Sequence, residues 1–342
     1  MRSVTAVLGW DIGGANVKAA CVSRDGSAWH VRTASRPFEI WKNKEALPEV
    51  LRAVAAELPA AAAAAVTMTA ELSDAFRTKR EGVGFVLDAV SDVCQGAIGV
   101  FATDGRFVDV QTARAFPLSV AASNWLATAM LVARHVPDCV LVDIGSTTAD
   151  LTPIRAGRVV AQGLTDPTRL LAGELVYTGV LRTNVAALVS QVPLWSGRCP
   201  VAAELFAVSG DVHVLLGNLS PDDYTCPTPD GRPPTPAFVA ERLARVVCAD
   251  VEMLAPDDIV AIAHAIDDAQ REQVASALTR VAAHLDGPVE VIVTGLGGFL
   301  GRRAAARCGF SWRDLSDVLH VDVSVAAPAV AVAWLMIEGV TP

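Results

Sequence analysis

The stretch LGWDIGGANVKAACV, residues 8–22, decides the fold. An apolar, strand-like run reaches one acid, Asp11, a glycine pair follows, and the chain then continues as a second apolar run instead of a helix. In dinucleotide-binding folds the glycine-rich turn leads from a strand into a helix, so this turn is of another kind. A tight turn between two strands still presents backbone N–H groups that can hold phosphate. The stretch predicts a phosphate-binding hairpin with Asp11 at its entrance.

A second copy of this pattern follows more than a hundred residues later. The segment CVLVDIGSTTADLTPIRAGRVVAQ, residues 139–162, places Asp143 over Asp11 and Gly145 over Gly13, and both segments continue through a short turn into a third extended run. In the first copy this turn is Asp25-Gly26, and an Asp-Gly pair between extended runs is a strong hairpin signal. We interpret the two segments as an internal duplication of one three-stranded meander, each copy opening an α/β domain.

A third glycine-rich segment, TGLGGFLG at residues 294–301, follows a predicted strand and leads to a helix expected to begin at Gly301. Closely spaced glycines allow the backbone to approach a ligand, and a helix N-terminus favours an anion. The residues that we predict to contact phosphate lie in the turns of these three glycine-rich segments. They are Gly13, Gly14, Ala15 and Asn16 in the first segment, Gly145, Ser146, Thr147 and Thr148 in the second, and Gly295, Gly297 and Gly298 in the third.

The two strand-end acids predict a magnesium site. Mg²⁺ prefers oxygen ligands and binds few carboxylates directly, so Asp11 and Asp143 are expected to hold it mostly through water. The hydroxyls of the second turn can bond phosphate oxygens as well. Two such hairpins facing each other would bind a magnesium-complexed di- or triphosphate.

Alternating helical and extended patterns predict an α/β fold of two duplicated domains. The first domain is expected over 1–136, with a C-terminal helix at 324–342 returning to it, and the second over 137–323, with a Pro-rich loop at 220–236. Predicted helices cover 44–58, 82–94, 118–135, 237–247 and 268–284, and further predicted strands cover 64–69, 98–103, 106–110 and 289–294.

Composition excludes several classes of protein. The net charge is −9 and the basic residues form no run, so a nucleic-acid surface is not expected. The apolar segments at 53–70 and 324–337 are interrupted or shorter than the about 20 residues of a membrane span. Seven dispersed cysteines without a C-x-x-C pair indicate reduced thiols. We expect a cytoplasmic protein that binds neither nucleic acid nor membrane, and a homodimer is compatible with the sequence.

The order DIGGANVK, DIGSTTAD, TGLGG resembles the actin, Hsp70 and sugar-kinase superfamily, whose two ribonuclease-H-like domains enclose a cleft. Within it the chain is similar to the hydantoinase and oxoprolinase branch. The segments VTMTAELSDAFRTKREGV, residues 66–83, and GELVYTGVLRTNV, residues 173–185, narrow this resemblance to the tetrahydromethanopterin-linked C1 transfer pathway proteins. By composition alone, the first segment also fits a solvated helix start capped by Ser73 or Asp74.

The resemblance implies a synthase of one-carbon metabolism. The archaeal reaction of this family joins an aminomethylfuran-methyl diphosphate to the phenol oxygen of γ-glutamyltyramine and releases pyrophosphate. A bacterial member would act in methylofuran biosynthesis, on a tyrosine derivative. The implied partners are therefore a small-molecule diphosphate and a phenolic co-substrate.

The residues fit this chemistry. A phenol has a pKa of about 10, so a base near the nucleophile is useful at neutral pH. Glu71 is the first candidate, followed by Asp74 and Glu174. A diphosphate leaving group needs cations, and we assign this role to Lys18 and Lys79 besides Mg²⁺.

One departure from the superfamily concerns the cofactor. The first turn commonly reads Gly-Gly-Thr, whereas here Ala15 stands at the hydroxyl position. The missing hydroxyl argues against ATP in its usual pose and leaves a diphosphate as the ligand. Two alternatives stay open: an ATP-dependent kinase or hydantoinase-type hydrolase, and a nucleotide-dependent switch or assembly protein.

Overall fold

The computed structural model describes residues 5–285, 287–324 and 326–339. Residues 1–4 of the predicted first domain and residues 325 and 340–342 of the predicted C-terminal helix therefore lie outside the described residues. The strands are β1 (Thr5–Ile12), β2 (Asn16–Asp25), β3 (Ala28–Pro37), β4 (Ala63–Met68), β5 (Ala97–Phe101), β6 (Phe107–Val108), β7 (Cys139–Ile144), β8 (Ala149–Arg155), β9 (Arg158–Val159), β10 (Leu175–Val176), β11 (Gln191–Leu194), β12 (Gly197–Pro200), β13 (Glu290–Thr294) and β14 (Ser311–Asp314).

The α-helices alternate with these strands along most of the chain. They are α1 (Leu47–Ala55), α2 (Lys79–Val93), α3 (Val110–Ala115), α4 (Asn124–Ala133), α5 (Asp166–Ala172), α6 (Ser209–Leu215), α7 (Pro236–Arg245), α8 (Pro256–Ala282), α9 (Gly298–Arg307), α10 (Leu315–Leu319) and α11 (Ala327–Ile337).

The first sheet has the order β3-β2-β1-β4-β5-β6. β1 pairs antiparallel with β2 and parallel with β4, so it lies in the middle of the sheet. Trp10 and Ile12 of β1 are fully buried, as expected for a central strand covered on both faces. The apolar helix α11 packs against β1, β2 and β4, which places the end of the described chain beside its beginning.

The second sheet repeats this arrangement in the order β10-β8-β7-β13-β14, with β9 pairing to β8. β7 and β8 correspond to β1 and β2, because in each pair the first strand ends in Asp-Ile and a glycine begins the turn to the second strand. The predicted duplicated α/β fold is therefore confirmed. β11 and β12 form a separate hairpin.

By its internal contacts the chain divides into two compact units. Unit 1 contains residues 1–141, 152–172 and 313–342, and unit 2 contains 142–151 and 173–312. The core of unit 1 lies around Trp10, Leu51 and Val86, and that of unit 2 around Leu243, Ile262 and Val212. The division into domains at residues 136 and 137 stays a prediction.

Several predicted elements differ in their bounds. The predicted strand 106–110 ends at Val108, because the Asp109 side chain accepts a hydrogen bond from Thr112 N at 2.7 Å and starts α3. The helix predicted from residue 118 begins at Asn124, after a 3₁₀ turn at Pro117–Ser119 and a left-handed residue, Ala122, with φ of 50°. The helix predicted over 268–284 is the second part of α8, which begins at Pro256.

None of the seven cysteines forms a disulfide in the described chain. Among the same residues, no helix combines the length and the apolar character that a bilayer crossing requires.

Candidate functional site

The first glycine turn, residues 13–16, joins β1 to β2 and is closed by its own backbone. Gly13 N donates to Asn16 O at 2.9 Å. The carbonyls of Ala15 and Gly14 accept hydrogen bonds from Phe38 N at 2.9 Å and Ile40 N at 3.0 Å. Within the described residues, the N–H groups of Gly14 and Ala15 donate to no protein acceptor. The turn thus has its carbonyls bonded to protein and keeps N–H groups available for an anion.

The second glycine turn, residues 145–148, repeats this geometry between β7 and β8. Gly145 N donates to Thr148 O at 2.9 Å, the equivalent of the bond in the first turn. Its carbonyls are also bonded to a neighbouring segment, since Val180 N donates to Gly145 O at 3.0 Å and Leu181 N to Ser146 O at 3.1 Å. In the described chain the N–H groups of Ser146 and Thr147 have no protein acceptor either. The duplication therefore extends to the hydrogen bonds of the two turns.

The third glycine turn, residues 295–298, contacts the acid of the second copy. Gly295 has φ of 86°, and a β-carbon built there would lie 2.5 Å from Asp143 Oδ1 and 2.4 Å from Ile144 O. Only glycine avoids both the strain and the clash. The next contact is a hydrogen bond from Gly297 N to Ile144 O at 2.8 Å. α9 begins at Gly298, three residues before the predicted start, because Gly297 is already its N-cap.

Asp11 is surrounded by polar side chains of the neighbouring strands. Lys18 on β2 and Thr67 on β4 are its register partners, and directly paired residues point to the same face of a sheet. Asp11 is buried, whereas Lys18 is half-buried and forms no ion pair with any described residue. The Thr67 hydroxyl lies 3.0 Å from that of Ser123, and Ser123 Oγ donates to Phe101 O at 2.8 Å. Lys18 is therefore a cation close to the first turn that is available to a ligand.

Glu71 lies immediately beyond the end of β4, in a 3₁₀ turn at Ala70–Leu72. The backbone joins this segment to the first hairpin, because Thr69 N donates to Ile12 O at 2.9 Å. Glu71 is 1% exposed, and no donor among the described residues makes a hydrogen bond of good geometry to its carboxylate. The nearest charge is Lys79, whose Nζ lies 3.4 Å from Glu71 Oε1. Lys79 Nζ in turn donates to Asp166 Oδ2 at 2.6 Å.

The motif around Lys79 explains how Glu71 becomes buried. Thr78 caps α2 by accepting a hydrogen bond from Glu81 N at 3.2 Å, so Lys79 is the first helical residue. A β-carbon on Gly82 would lie 2.6 Å from the Glu71 Cα. Gly82 thus permits the first turn of α2 to pack directly against the Glu71 backbone.

Burial and charge act on Glu71 in opposite directions. Desolvation disfavours the carboxylate and raises the pKa of Glu71, the Lys79 ammonium lowers it, and the net result is a pKa of about 7. Burial lowers the pKa of Lys79, but the hydrogen bond and charge of Asp166 and the charge of Glu71 outweigh it, and this pKa is raised. Glu71 can therefore exchange a proton near neutral pH while Lys79 stays charged.

The other two acids predicted as bases have different surroundings. Asp74 is exposed and makes no ion pair within the described chain. Glu174 is buried in unit 2, where its carbonyl accepts a hydrogen bond from Leu151 N at 2.8 Å. Of the predicted site residues, unit 1 therefore brings together Asp11, Lys18, Glu71 and Lys79 with the first turn, and unit 2 brings together Asp143 with the second and third turns.

Comparison with known proteins identifies the family of the chain. The sequence model of the hydantoinase/oxoprolinase family matches residues 62–338. The chain belongs to this family. It is 35% identical over 331 residues to the (4-{4-[2-(gamma-L-glutamylamino)ethyl]phenoxymethyl}furan-2-yl)methanamine synthase of Methanocaldococcus jannaschii. The aligned residues cover 96% of this chain and 97% of the relative. The Methanococcus vannielii synthase of the same name is 30% identical over 203 residues, which is 58% of this chain and 90% of that protein.

Among solved structures, nucleotide-free acetone carboxylase has a similar fold. The match covers 91% of this chain and 68% of the other, with a TM-score of 0.51 and 11% sequence identity. The curated relatives are named as synthases, and this member of the hydantoinase/oxoprolinase family is accordingly an enzyme acting on small molecules.

A magnesium ion fits the donor chemistry of this family member. No cluster of three or more His, Cys, Asp or Glu side chains suited to a metal occurs in the described part of the chain. Mg²⁺ does not need such a cluster, since it keeps several waters and is usually bound by one or two carboxylates together with substrate phosphates. Asp143 presents its carboxylate against the glycine turn, where a phosphate could complete the ligand set.

Two residues beside the site were not predicted from the sequence. Asp166, the partner of Lys79, begins the unpredicted helix α5, although Thr165-Asp166-Pro167 is a typical helix start. Thr67 is the one hydroxyl residue in the apolar strand β4, which marks it as unusual without revealing its neighbours.

Proposed function

We propose that this enzyme forms an aryl ether by joining an aminomethylfuran-methyl diphosphate to the phenol oxygen of a tyramine or tyrosine derivative. The C–O bond between the furan methylene and the diphosphate breaks, the phenol oxygen bonds to that methylene, and pyrophosphate leaves. The phenol proton is transferred to a base of the enzyme. These steps balance without any other reactant.

The name of the similar archaeal synthases supports this reaction. Its words describe a product in which a phenoxymethyl group joins an aromatic ring to a furan, that is, an aryl ether at a furan methylene. The similarity extends over nearly the full length of both chains. Because the similarity covers 96% of this chain and 97% of the relative, we carry the reaction class over to this chain as a proposal.

The single structural observation that carries the proposal is the buried Glu71 carboxylate beside the Lys79–Asp166 pair. A general base is most effective when its pKa lies near the working pH, and the pKa of Glu71 is raised to about 7. We propose that Glu71 takes the phenol proton. Lys79, with its Nζ 3.4 Å from Glu71 Oε1, keeps part of the base ionised at neutral pH.

The diphosphate is proposed to bind at the glycine turns. In unit 2 the N–H groups of Ser146 and Thr147 would donate to its oxygens. In unit 1 the N–H groups of Gly14 and Ala15, beside the positive charge of Lys18, offer phosphate the same kind of donors. Donors and cations that are already in place stabilise the charge that develops on the leaving group. Mg²⁺ held at the Asp11 carboxylate of unit 1 or at the Asp143 carboxylate of unit 2 would further neutralise this charge.

The absence of a hydroxyl at Ala15 bears on the choice between diphosphate and ATP. The second turn carries three hydroxyl residues and the first carries none, so the two turns are unequal in their capacity for phosphate oxygens. We therefore propose a diphosphate as the ligand.

The deciding experiment supplies the chain with Mg²⁺, the aminomethylfuran-methyl diphosphate and either tyramine, γ-glutamyltyramine or tyrosine. Mass spectrometry should detect the ether, and a pyrophosphate assay should show equal amounts of both products. Pyrophosphate without ether would indicate a hydrolase and would refute the synthase. Calorimetry with Mg-ATP and Mg-pyrophosphate tests the remaining alternatives, because tight ATP binding with slow hydrolysis would indicate a kinase or a nucleotide switch.

A further inference from the structure

A buried polar network in unit 2 ends on the segment that holds the second glycine turn. This segment, residues 178–182, donates three backbone hydrogen bonds to the turn carbonyls, from Val180 N to Gly145 O at 3.0 Å and from Leu181 N and Arg182 N to Ser146 O at 3.1 Å each. The orientation of the turn N–H groups therefore depends on where residues 178–182 lie.

The carbonyl of Gly179 is the point at which side chains hold this segment. It accepts hydrogen bonds from Gln270 Nε2 at 2.8 Å, from Ser209 Oγ at 2.7 Å and from Thr183 Oγ1 at 3.1 Å. Gln270 lies on α8, is 1% exposed, and contacts the Thr178 hydroxyl at 2.8 Å with the same nitrogen. Gln270 is thus the link between the long helix of unit 2 and the segment under the turn.

The network also determines the proton on His213. Because Gly179 O can only accept, the Gln270 amide nitrogen must face it, and Gln270 Oε1 must face His213 Nε2 at 2.8 Å. His213 Nε2 therefore carries the hydrogen, and Nδ1 accepts from Asn218 Nδ2 at 3.3 Å. His213 is fully buried, and desolvation lowers its pKa, so the ring is neutral.

The far side of His213 connects to the helix of the third glycine turn. Its Nδ1 lies 3.8 Å from Asp267 Oδ1, and Asp267 is bound in a two-pronged ion pair by Arg303 of α9. The ring also packs edge-on against Phe299, the second residue of α9, at a centroid distance of 4.9 Å. The network joins the supports of both glycine turns of unit 2.

We infer that Gln270 and His213 are positioning residues that set the second glycine turn for phosphate. This inference rests on the proposed diphosphate site. Neither residue touches the ligand; each acts through the Gly179 carbonyl and the three hydrogen bonds that residues 180–182 make to the turn.

The test compares Gln270→Met, which keeps the size of the side chain and removes its hydrogen bonds, with His213→Leu and His213→Gln. The latter keeps a donor at the position of Nε2. Val274→Ala is the matched control, because Val274 is fully buried on α8 and belongs to no polar network. Each protein is titrated with inorganic pyrophosphate and Mg²⁺ by calorimetry, and amide exchange of residues 180–182 is measured without ligand.

Gln270→Met and His213→Leu should weaken pyrophosphate binding by about tenfold, the loss of roughly one hydrogen bond's net contribution, and should speed exchange at residues 180–182. His213→Gln should stay within about threefold of the wild type, and Val274→Ala should lower the melting temperature without changing the Kd. The inference is overturned if Gln270→Met changes the melting temperature alone. A wild type that binds pyrophosphate and forms no ether refutes the synthase only, whereas unchanged amide exchange in Gln270→Met refutes the positioning role only.

Discussion

Replacement of Glu71 by Gln tests the proposed base directly. The amide has nearly the shape of the carboxylate but takes up no proton, so the buried position is retained and the base is lost. Removal of a general base typically lowers the rate by about 10²–10⁴-fold. We expect a loss of this size in the rate of ether formation at pH 7, and an exposed acid of α1, Glu49→Gln, should leave the rate unchanged.

The same substitution should stabilise the protein at alkaline pH. The folded-state pKa of Glu71 is about 7 and its ordinary value is 4.5, which at about 1.4 kcal/mol per pKa unit amounts to about 3 kcal/mol. Since the folded pKa is raised, the folded state binds more protons between these values. The contribution of Glu71 to stability is therefore full below pH 4.5 and is lost as the pH rises through about 7.

Two measurements check this reasoning. Urea unfolding of both proteins at pH 5 and pH 8 should show the free energy of unfolding of Glu71→Gln rising relative to the wild type by about 2.5 kcal/mol between the two pH values. The pH–rate profile of the wild type should rise through about pH 7 on its acidic limb, and the variant should lack this limb. A variant that keeps the wild-type rate and limb would show that Glu71 is not the base, and a pH-independent difference in stability would contradict its desolvation.

Three further predictions concern the contacts of Lys79 in unit 1 and of Gly295 and Asp211 in unit 2. Lys79→Met removes the charge that lowers the pKa of Glu71, so the acidic limb of the rate profile should move above pH 7 and the rate at neutral pH should fall. Gly295→Ala introduces a β-carbon 2.5 Å from Asp143 Oδ1 and should weaken binding of Mg-pyrophosphate about tenfold in calorimetry; Gly231→Ala is the control, because Gly231 also has a positive φ and its β-carbon would contact nothing. Asp211→Asn removes the carboxylate bonded to the buried Arg242 guanidinium at 2.7 and 2.8 Å, and should lower the free energy of unfolding by about 3 kcal/mol in urea titrations.

Each of the three has an outcome that would contradict it. If the acidic limb of the pH–rate profile stays at the same pH in Lys79→Met, the Lys79 ammonium does not lower the pKa of Glu71. If Gly295→Ala and Gly231→Ala bind Mg-pyrophosphate with equal affinity, the third glycine turn is not part of the phosphate site. Unchanged stability of Asp211→Asn would mean that Asp230, which accepts from Arg242 Nη1 at 2.9 Å, compensates alone.

The Pro-rich loop at 220–236 was predicted from composition, whereas its contacts with the rest of unit 2 are seen only in the structure. Its composition predicts a long irregular segment, and only a 3₁₀ turn at Pro221–Asp223 and the first residue of α7 interrupt it. In the structure Tyr224 is buried, and its hydroxyl donates to Asp211 Oδ1 at 3.3 Å, so this part of the loop is anchored to the core of unit 2.

The glycine turns and the strands beside them were predictable because their determinants are adjacent in the chain. An apolar run, an acid and small residues specify a hairpin locally, and the duplication made the pattern recognisable. Glu71 was also found from a local motif, although its burial was not, because that depends on the fit of Gly82 in α2 against the turn that carries it.

Only the tertiary structure decided which charged and polar groups meet. Lys79 and Asp166 are 87 positions apart, and Gln270 and Gly179 are 91 apart, so no local pattern relates them. The physical reason is that backbone turns are stabilised by neighbouring residues, whereas a buried charge or amide is stabilised by whichever partner the packing brings within hydrogen-bond distance. The sequence by itself therefore determined the class of fold, the family and the glycine turns, and the tertiary structure determined the surroundings that raise the pKa of Glu71 and hold the second turn in place.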